Sequence, residues 1–207
     1  MDTIGIDFDN TIVCYHDLFH RLAREGSLIP ASLPVSKCAV RDYLRQTGRE
    51  ADWTELQGII YGPRLFEAEP FPGVLTFLER CHHRGIRCRI ISHKTRYAVR
   101  GEKHDLHQAS LDWLQCRGIL GPRTGLGLGD VFLEETRAAK LARLAAERCD
   151  LCIDDLPEFL TEPGFPAGVE RILFDPSGSA SPGPYRRCRS WQEIAQLVFA
   201  VREAPAP

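Results

Sequence analysis

Residues 3–13 read Thr-Ile-Gly-Ile-Asp-Phe-Asp-Asn-Thr-Ile-Val, a short apolar strand that leads into Asp7, Asp9 and Thr11. Positions i and i+2 share one face of a strand, and a turn just after Asp7 would bring both carboxylates and Thr11 together. They would meet at the carboxyl edge of a sheet, where open α/β sheets bind ligands. Adjacent carboxylates repel each other, and Mg²⁺ relieves that repulsion with hard oxygen ligands. The alternative interpretation is an acidic turn that only ends a strand.

Apolar strands alternate with amphipathic helices over most of the remaining sequence. After the first strand we predict strands at 86–91, 130–133, 151–153 and 171–174, and helices at 74–81, 105–117, 138–145 and 194–201. This alternation predicts an α/β fold with a doubly wound, mostly parallel sheet that is covered on both faces. The predicted core comprises 1–13 and 71–203, with a Gly/Ser/Pro-rich loop at 175–189 and a flexible tail at 204–207.

The segment 14–70 differs in character from the rest of the chain. Apolar residues recur at helical spacing around Phe19, Val40 and Trp53, and prolines separate the stripes. The pattern predicts two or three helices with too little apolar surface to fold alone, so 14–70 is interpreted as a small helical cap inserted into the core. Its aromatic side chains either stack on a base or sugar or form the core of the cap: Tyr15, Phe19, Trp53 and Tyr61.

Composition limits the classes of partner. The 207 residues carry a formal net charge of −2, which favours neither a nucleic acid polymer nor an anionic membrane as a partner. No apolar run reaches membrane-spanning length and no signal-peptide pattern is seen, so we expect a soluble, cytoplasmic protein. The eight cysteines lie mostly in apolar patterns, as free thiols do, and Cys149 and Cys152 form a lone pair that gives little support to zinc binding. The oligomeric state cannot be read from the sequence.

Polar residues end three of the predicted strands, and a lysine lies in the helix before the fourth strand. In a parallel sheet these strand ends lie on the same edge. Carboxylates from two strands, small hydroxyls and an ammonium group suit a metal-bound anion, in particular a phosphoryl group. The residues concerned are Asp7, Asp9, Thr11, Ser92, Lys94, Lys140, Asp154 and Asp155.

These motifs resemble the haloacid dehalogenase-like (HAD) superfamily of phosphohydrolases over nearly the whole chain. The resemblance rests on Asp-Phe-Asp-Asn-Thr at 7–11 after a strand, Ser92 at the end of Ile-Ile-Ser, and Lys140 before the Asp154-Asp155 pair. The entry Pro-Phe-Pro-Gly at 70–73 also looks like that family. Asn10 departs from the small residue that often holds its position.

The resemblance implies a role for each residue. Asp7 would be the nucleophile that forms an aspartyl-phosphate, and Asp9 would protonate the leaving group and then deprotonate water. Thr11 and Ser92 would hydrogen-bond phosphoryl oxygens, and Lys140 would offset the charge between phosphate and Asp7. Mg²⁺ would be bound by Asp7, the backbone carbonyl of Asp9, Asp154 and Asp155, with Asp155 binding directly or through water.

The expected activity is Mg²⁺-dependent hydrolysis of a small phosphorylated metabolite of the nucleotide or sugar phosphate class. Asp9 favours phosphoester hydrolysis, because dehalogenating and phosphonate-cleaving relatives do not need a carboxylate there. Two alternatives stay open at this stage. One is a phosphomutase or phosphotransferase on the same scaffold, and the other is a catalytically idle protein that binds a phospho-ligand.

The residues after Ser92 depart from the family pattern, which often has Asn where this chain has His-Lys-Thr. We therefore interpret His93 and Lys94 as facing the leaving group of the substrate, and Lys94 could compete with Lys140 for the phosphate. His104 and His107, three positions apart, could share a helix face. With His93 they could contact an anionic leaving group or form a second metal site, or they are ordinary surface histidines.

Overall fold

A six-stranded sheet, parallel throughout, forms the centre of the structure, a computed structural model that describes residues 2–200. A separate two-stranded ribbon accounts for the remaining strands described in this range. In chain order the strands are β1 (Thr3–Ile6), β2 (Val13–Cys14), β3 (Glu69–Pro70), β4 (Arg87–His93), β5 (Val131–Glu134), β6 (Leu151–Asp154), β7 (Glu170–Phe174) and β8 (Arg186–Cys188). The large sheet has the order β5-β4-β1-β6-β7-β8, and β2 pairs with β3.

Amphipathic helices connect the strands, and most of them bury one apolar face. None of the helices between residues 2 and 200 combines the length and the apolar character that a membrane crossing requires. The predicted tail at 204–207 lies outside the described residues. The helices are α1 (His16–Glu25), α2 (Lys37–Gln46), α3 (Glu50–Tyr61), α4 (Val74–His83), α5 (Leu106–Cys116), α6 (Arg137–Ala146), α7 (Pro157–Leu160) and α8 (Trp191–Ala200).

Strand β1 lies between β4 and β6, and all four of its residues are buried. A strand with neighbours on both edges and helices on both faces can be apolar along its whole length, as Ile4 and Ile6 show. Because β4 and β6 are parallel to β1, the three strands end at the same edge of the sheet. The prediction of a doubly wound, mostly parallel sheet is confirmed.

The prediction of an unbroken loop at 175–189 is wrong at its end. Arg186–Cys188 forms β8, a parallel edge strand on β7. The Asp175 amide donates to the Cys188 carbonyl at 2.8 Å. Two exposed arginines and one buried cysteine are too few residues for a strand periodicity to appear in the sequence. Residues 186–188 are extended because they pair with β7, a contact that lies outside the local sequence pattern.

Helices α1 to α3 lie in the segment 14–70, and the ribbon of β2 and β3 joins this segment to the core. The ribbon pairs Val13 with Pro70 in antiparallel register, so the chain leaves and re-enters the core at one place. Phe19 packs on the rings of three other aromatic residues of the segment, at centroid distances of 5.0 to 6.0 Å. Tyr15, Phe19 and Trp53 are buried, and only Tyr61 of this group is partly exposed.

Helix α3 lies close against the loop between β4 and α5. A Cβ atom at Gly58 would lie 2.9 Å from the Ala98 Cβ, and one at Gly62 would lie 2.9 Å from the His104 Cβ. Glycine is therefore required at both positions for this approach. The contact holds the C-terminal end of α3 over the carboxyl edge of the sheet.

Candidate active site

Asp7 follows β1 directly and is the centre of a buried polar cluster. Its amide donates to the Ile153 carbonyl at 2.9 Å, which keeps the backbone paired with β6 just beyond the strand. Its Oδ1 accepts hydrogen bonds from Ser92 Oγ at 2.9 Å and from Lys140 Nζ at 2.6 Å. Lys140 Nζ also donates to Asp154 Oδ2 at 2.5 Å. The structure thus brings together residues from β1, β4, α6 and β6.

The turn after Asp7 has the conformation that convergence of the motif requires. Asn10 has a φ of 59°, in the left-handed region, and the amides of Ile12 and Val13 both donate to the Phe8 carbonyl. Asparagine adopts this region more readily than most residues with a side chain. Asn10, the departure from the family pattern, therefore suits its position.

Lys140 reaches the cluster from α6, which packs closely on β1. A Cβ at Gly5 would lie 2.6 Å from Leu144 Cδ2, so the absence of a side chain at Gly5 permits this close approach. Burial alone would lower the pKa of the Lys140 ammonium. The charges of Asp154 and Asp7 outweigh burial and raise that pKa above its usual range. Lys140 is therefore a permanent cation between two carboxylates.

Asp7, Asp154 and Asp155 each offer a carboxylate oxygen, and the three atoms lie within 4.8 Å of one another. Burial and the charge of Asp154 raise the pKa of Asp7 to about 6, although Lys140 opposes the shift. Burial and the charges of Asp7 and Asp154 raise the pKa of Asp155 well above its usual range. One bonded ammonium does not balance three carboxylates, so the donor set fits a divalent cation with a preference for oxygen ligands.

Mg²⁺ is expected to stabilise the protein more at pH 8 than at pH 5. Because the pKa of Asp7 is raised to about 6 in the folded protein, protonation of Asp7 stabilises the folded state. This stability is fully present below the ordinary pKa of an aspartate and is lost as the pH rises through about 6. Mg²⁺ competes with that proton and restores the stability of the ionised cluster. Thermal unfolding with and without Mg²⁺ at both pH values measures the effect. Equal increments in melting temperature at the two pH values would contradict it.

Asp9 has a different environment from Asp7. Lys94 Nζ donates to both of its carboxylate oxygens, at 2.9 and 2.6 Å, and the Tyr15 hydroxyl donates to Oδ1 at 2.5 Å. Burial alone would raise the pKa of Asp9, but Lys94 and Tyr15 outweigh it and lower that pKa below its usual value. Lys94 is thus paired with Asp9, and it is Lys140 that contacts Asp7.

The Asp9 carboxylate is outside the group of converging carboxylates described above. Its side-chain oxygens are both bonded to Lys94. A contribution of Asp9 to a metal site would have to come from its backbone carbonyl, as the family resemblance implies, and this stays a prediction.

The three histidines near Ser92 do not act together. His107 Nε2 lies 2.8 Å from the Lys94 carbonyl and supports the backbone of that lysine. The suggestion that His104 and His107 share a helix face is wrong, because α5 begins only at Leu106. The carboxylates of Asp7, Asp154 and Asp155 are the one group with metal-ligand spacing among residues 2–200, so the described structure forms no histidine metal site. His93 is exposed at the end of β4, and its contact with substrate stays a prediction.

Thr11 is fully buried, and its Oγ1 has no hydrogen-bond partner within residues 2–200. Its carbonyl accepts a hydrogen bond from Trp191 Nε1 at 3.1 Å, which ties the turn to α8. No hydrogen bond between described residues joins the Thr11 hydroxyl to the carboxylates. Phosphate binding by Thr11 stays a prediction.

Tyr15 and Lys37 also lie near the site, although no motif in the sequence places them beside Asp9. Tyr15 is the first hydroxyl-bearing aromatic residue after the motif, yet nothing in its spacing indicates a hydrogen bond to Asp9. Lysine is rare in this chain, with four in all, and Lys94 and Lys140 are already placed at the site. Lys37 lies near the site as well, because its Nζ is 5.7 Å from the ring centroid of Tyr15, whose hydroxyl donates to Asp9. The small number of lysines was the one sequence feature that could have indicated a role for Lys37 at the site.

No protein-family model matches the sequence, and no curated protein matches it. Solved structures do match. YfnB of Bacillus subtilis, assigned as a HAD-hydrolase and bound to magnesium, has 16% identity and a TM-score of 0.61, with 95% of this chain and 98% of that chain covered. A structure described as a dehalogenase has 14% identity and a TM-score of 0.60, with 95% and 96% covered.

A third match is a HAD family hydrolase from Deinococcus radiodurans R1 with bound phosphate and sodium. It has 16% identity and a TM-score of 0.56, with 100% of this chain and 99% of that chain covered. These identities are low, so the similarity bears on the fold rather than on the reaction. The chain has the fold of the haloacid dehalogenase-like hydrolases.

Proposed function

We propose that this protein is a Mg²⁺-dependent phosphomonoester hydrolase that acts on a small phosphorylated metabolite through an aspartyl-phosphate. One observation carries the proposal. Oδ1 of Asp7 accepts hydrogen bonds from both Ser92 and Lys140, at the carboxyl edge of the sheet and within a cluster of three carboxylates. A fixed carboxylate beside a cation and a hydroxyl suits attack on a phosphoryl group.

The arrangement supports in-line attack by Asp7. Both of its side-chain hydrogen bonds within residues 2–200 fall on Oδ1, which leaves the lone pairs of Oδ2 for attack on phosphorus. The new bond joins Oδ2 to phosphorus as the bond from phosphorus to the ester oxygen breaks. In the second step water attacks phosphorus, the acyl phosphate bond breaks, and the Asp7 carboxylate returns with release of orthophosphate.

Ser92 and Lys140 would stabilise the phosphoryl oxygens during both steps. Each already contacts Asp7, so small movements suffice to reach a phosphate held beside it. Asp7, Asp154 and Asp155 would hold Mg²⁺, which when bound supplies positive charge that offsets the phosphoryl oxygens. The dehalogenase of the same fold shows that the fold alone does not select phosphate, and the carboxylate of Asp9 is what favours an ester.

Asp9 is suited to the proton transfers. Lys94 and Tyr15 favour its carboxylate form in the resting site, which is the form that deprotonates water in the second step. The first step needs the protonated form. A bound phosphate dianion beside Asp9 would favour it, because a nearby like charge raises the pKa of a carboxyl group.

The substitution Asp9→Asn is expected to lower kcat by about 10²- to 10⁴-fold, the usual contribution of a general acid and base. The loss should be largest for poor leaving groups, since these need protonation as the ester bond breaks. The measurement is kcat/KM over a series of aryl and alkyl phosphates with different leaving-group pKa. An unchanged slope against leaving-group pKa would exclude the acid role.

The test of the proposed function is orthophosphate release from nucleotides, sugar phosphates and small phosphoesters, with and without Mg²⁺. We expect turnover of at least one class that depends on Mg²⁺ and is lost with a chelator. Fast exchange of phosphate between substrate positions with slow orthophosphate release would instead identify a mutase. Absence of turnover despite Mg²⁺ binding would contradict an enzymatic role.

A further inference from the structure

Lys37 occupies an aromatic enclosure in the helical segment. It is the first residue of α2, and its Nζ lies 5.2 Å from the ring centroid of Phe19, 5.5 Å from that of Tyr61 and 5.7 Å from that of Tyr15. The side chain is half-buried. Rings at this distance attract a cation and restrict its position. Lys37 is therefore held in place by the segment rather than extended into solvent.

Tyr15 links Lys37 to the site, because its ring centroid lies 5.7 Å from Lys37 Nζ and its hydroxyl donates to Asp9 Oδ1 at 2.5 Å. Burial alone would lower the pKa of Lys37, but Tyr61 and the charges of Asp155 and Asp9 outweigh it and raise that pKa.

The ammonium groups at the site differ in their partners. Lys140 is bonded to Asp7 and Asp154, and Lys94 is bonded to both oxygens of Asp9. For Lys37, by contrast, no carboxylate oxygen lies within 4.0 Å of Nζ across residues 2–200. Its positive charge is close to the acidic cluster but is not consumed by an ion pair.

Tyr61 connects Lys37 to the leaving-group side of the site. Its ring centroid lies 4.6 Å from Lys94 Nζ and 5.5 Å from Lys37 Nζ, so the two lysines contact the same ring. Lys94 Nζ in turn donates a hydrogen bond to Asp9, the proposed acid for the leaving group. A group that departs next to Asp9 is therefore on the side of the site from which Lys37 approaches.

We propose that Lys37 binds a second anionic group, a carboxylate or a further phosphate, on the leaving group of the substrate. This inference rests on the proposed phosphoester hydrolysis and narrows its substrate class. A flat base has little room to stack here, because Tyr15 and Phe19 are fully buried against each other and against Tyr61. The substrate class is a small phosphoester with two anionic ends.

A purely structural role for Lys37 would be to balance the charge of Asp155. That role and substrate binding differ in a measurable way. Loss of charge balance would weaken the binding of every phosphoester to the same extent, because all of them bind at the same carboxylate cluster. Loss of a contact with the second anion would act only on substrates that carry one. The selectivity between matched substrates therefore separates the two roles.

The first measurement is equilibrium binding by calorimetry to the Asp7→Asn protein with Mg²⁺ present. The probes share a two-carbon chain and differ in charge: phosphoglycolate, ethylene glycol monophosphate and phosphoethanolamine. Propanediol bisphosphate and propanediol monophosphate compare a second phosphate with none. We expect the doubly anionic probes to bind about 10- to 100-fold more tightly than the probes whose second end is an uncharged hydroxyl, the usual effect of a charged hydrogen bond. Equal affinities would overturn the proposal.

The second measurement uses Lys37→Met and Lys37→Arg. Lys37→Met is expected to reduce the preference for the doubly anionic member of each pair by about 10-fold or more, and Lys37→Arg should retain most of it. The matched control is Lys103→Met, since Lys103 is an exposed lysine whose Nζ lies 4.2 Å from the Tyr97 ring centroid. It should keep the full preference. An equal loss for both members of each pair in Lys37→Met would assign Lys37 to charge balance and overturn the proposal.

The outcomes also separate this inference from the proposed function. Hydrolysis that favours neutral leaving groups would support a phosphatase and overturn the role of Lys37. Tight, Lys37-dependent binding of phosphoglycolate or the bisphosphate without any turnover would support the role of Lys37 and overturn the hydrolase.

Discussion

Replacement of Asp7 by asparagine is expected to lower kcat for phosphoester hydrolysis by about 10⁴-fold or more while the fold is retained. Asparagine has the size of aspartate, and its carbonyl oxygen can still accept the hydrogen bonds of Ser92 and Lys140 at Oδ1. Its neutral amide is a far poorer nucleophile than a carboxylate, so the acyl phosphate cannot form at a useful rate. The measurement is orthophosphate release with the best substrate of the screen, with circular dichroism to check the fold.

The matched control is Asp112→Asn, the same substitution at an exposed carboxylate of α5 that accepts a hydrogen bond from Gln108. It should retain full turnover. Acid quenching during turnover of a substrate with radiolabelled phosphate should trap label on the parent protein and not on Asp7→Asn. Turnover by Asp7→Asn within about tenfold of the parent would contradict nucleophilic catalysis by Asp7, whatever the metal dependence.

The substitution Lys140→Met is expected to lower the free energy of unfolding by about 3 kcal/mol at pH 8 in the absence of Mg²⁺. Lys140 is buried and bonded to both Asp7 and Asp154, so its loss leaves two buried carboxylates without their cation. The destabilisation should be smaller at pH 5. Without the lysine the pKa of Asp7 rises further above its present value of about 6, so the protonated, neutral form is stable at low pH and is lost as the pH rises.

Chemical denaturation at pH 5 and pH 8 measures this effect, and kcat should fall by about 10²- to 10³-fold as well. Addition of Mg²⁺ should recover part of the stability at pH 8, because the cation replaces some of the lost positive charge. The control is Lys103→Met, at an exposed position. A stability of Lys140→Met equal to that of the parent at pH 8 would show that the ion pairs contribute no net stability.

Much of the fold is contained in short-range patterns of residues. Apolar runs that end in polar residues mark β1, β4 and β6, and stripes at helical spacing mark the helices around them. These signals are strong because a strand buried on both faces must be apolar along its length. The edge strand β8 was missed, since three residues with two exposed arginines carry no such pattern.

The candidate site also has a part that the sequence predicts and a part that it does not. The carboxylates, Ser92 and Lys140 follow from strand ends and family motifs, and the structure brings Asp7, Ser92, Lys140 and Asp154 into direct contact. The pairing of Lys94 with Asp9 could not be read from the sequence. These residues are 85 positions apart, and either lysine could have served Asp7.

The residue order thus specified the parallel sheet, its polar carboxyl edge and the types of group gathered there, because backbone hydrogen bonding and burial impose local periodicities that survive in the sequence. The tertiary packing settled which lysine contacts which carboxylate, how Tyr15 contacts Asp9, and where Lys37 is held. Those relations depend on distances between segments that are remote in the chain, and the ionic and aromatic contacts involved act only over a few ångströms. A one-dimensional pattern does not record such distances.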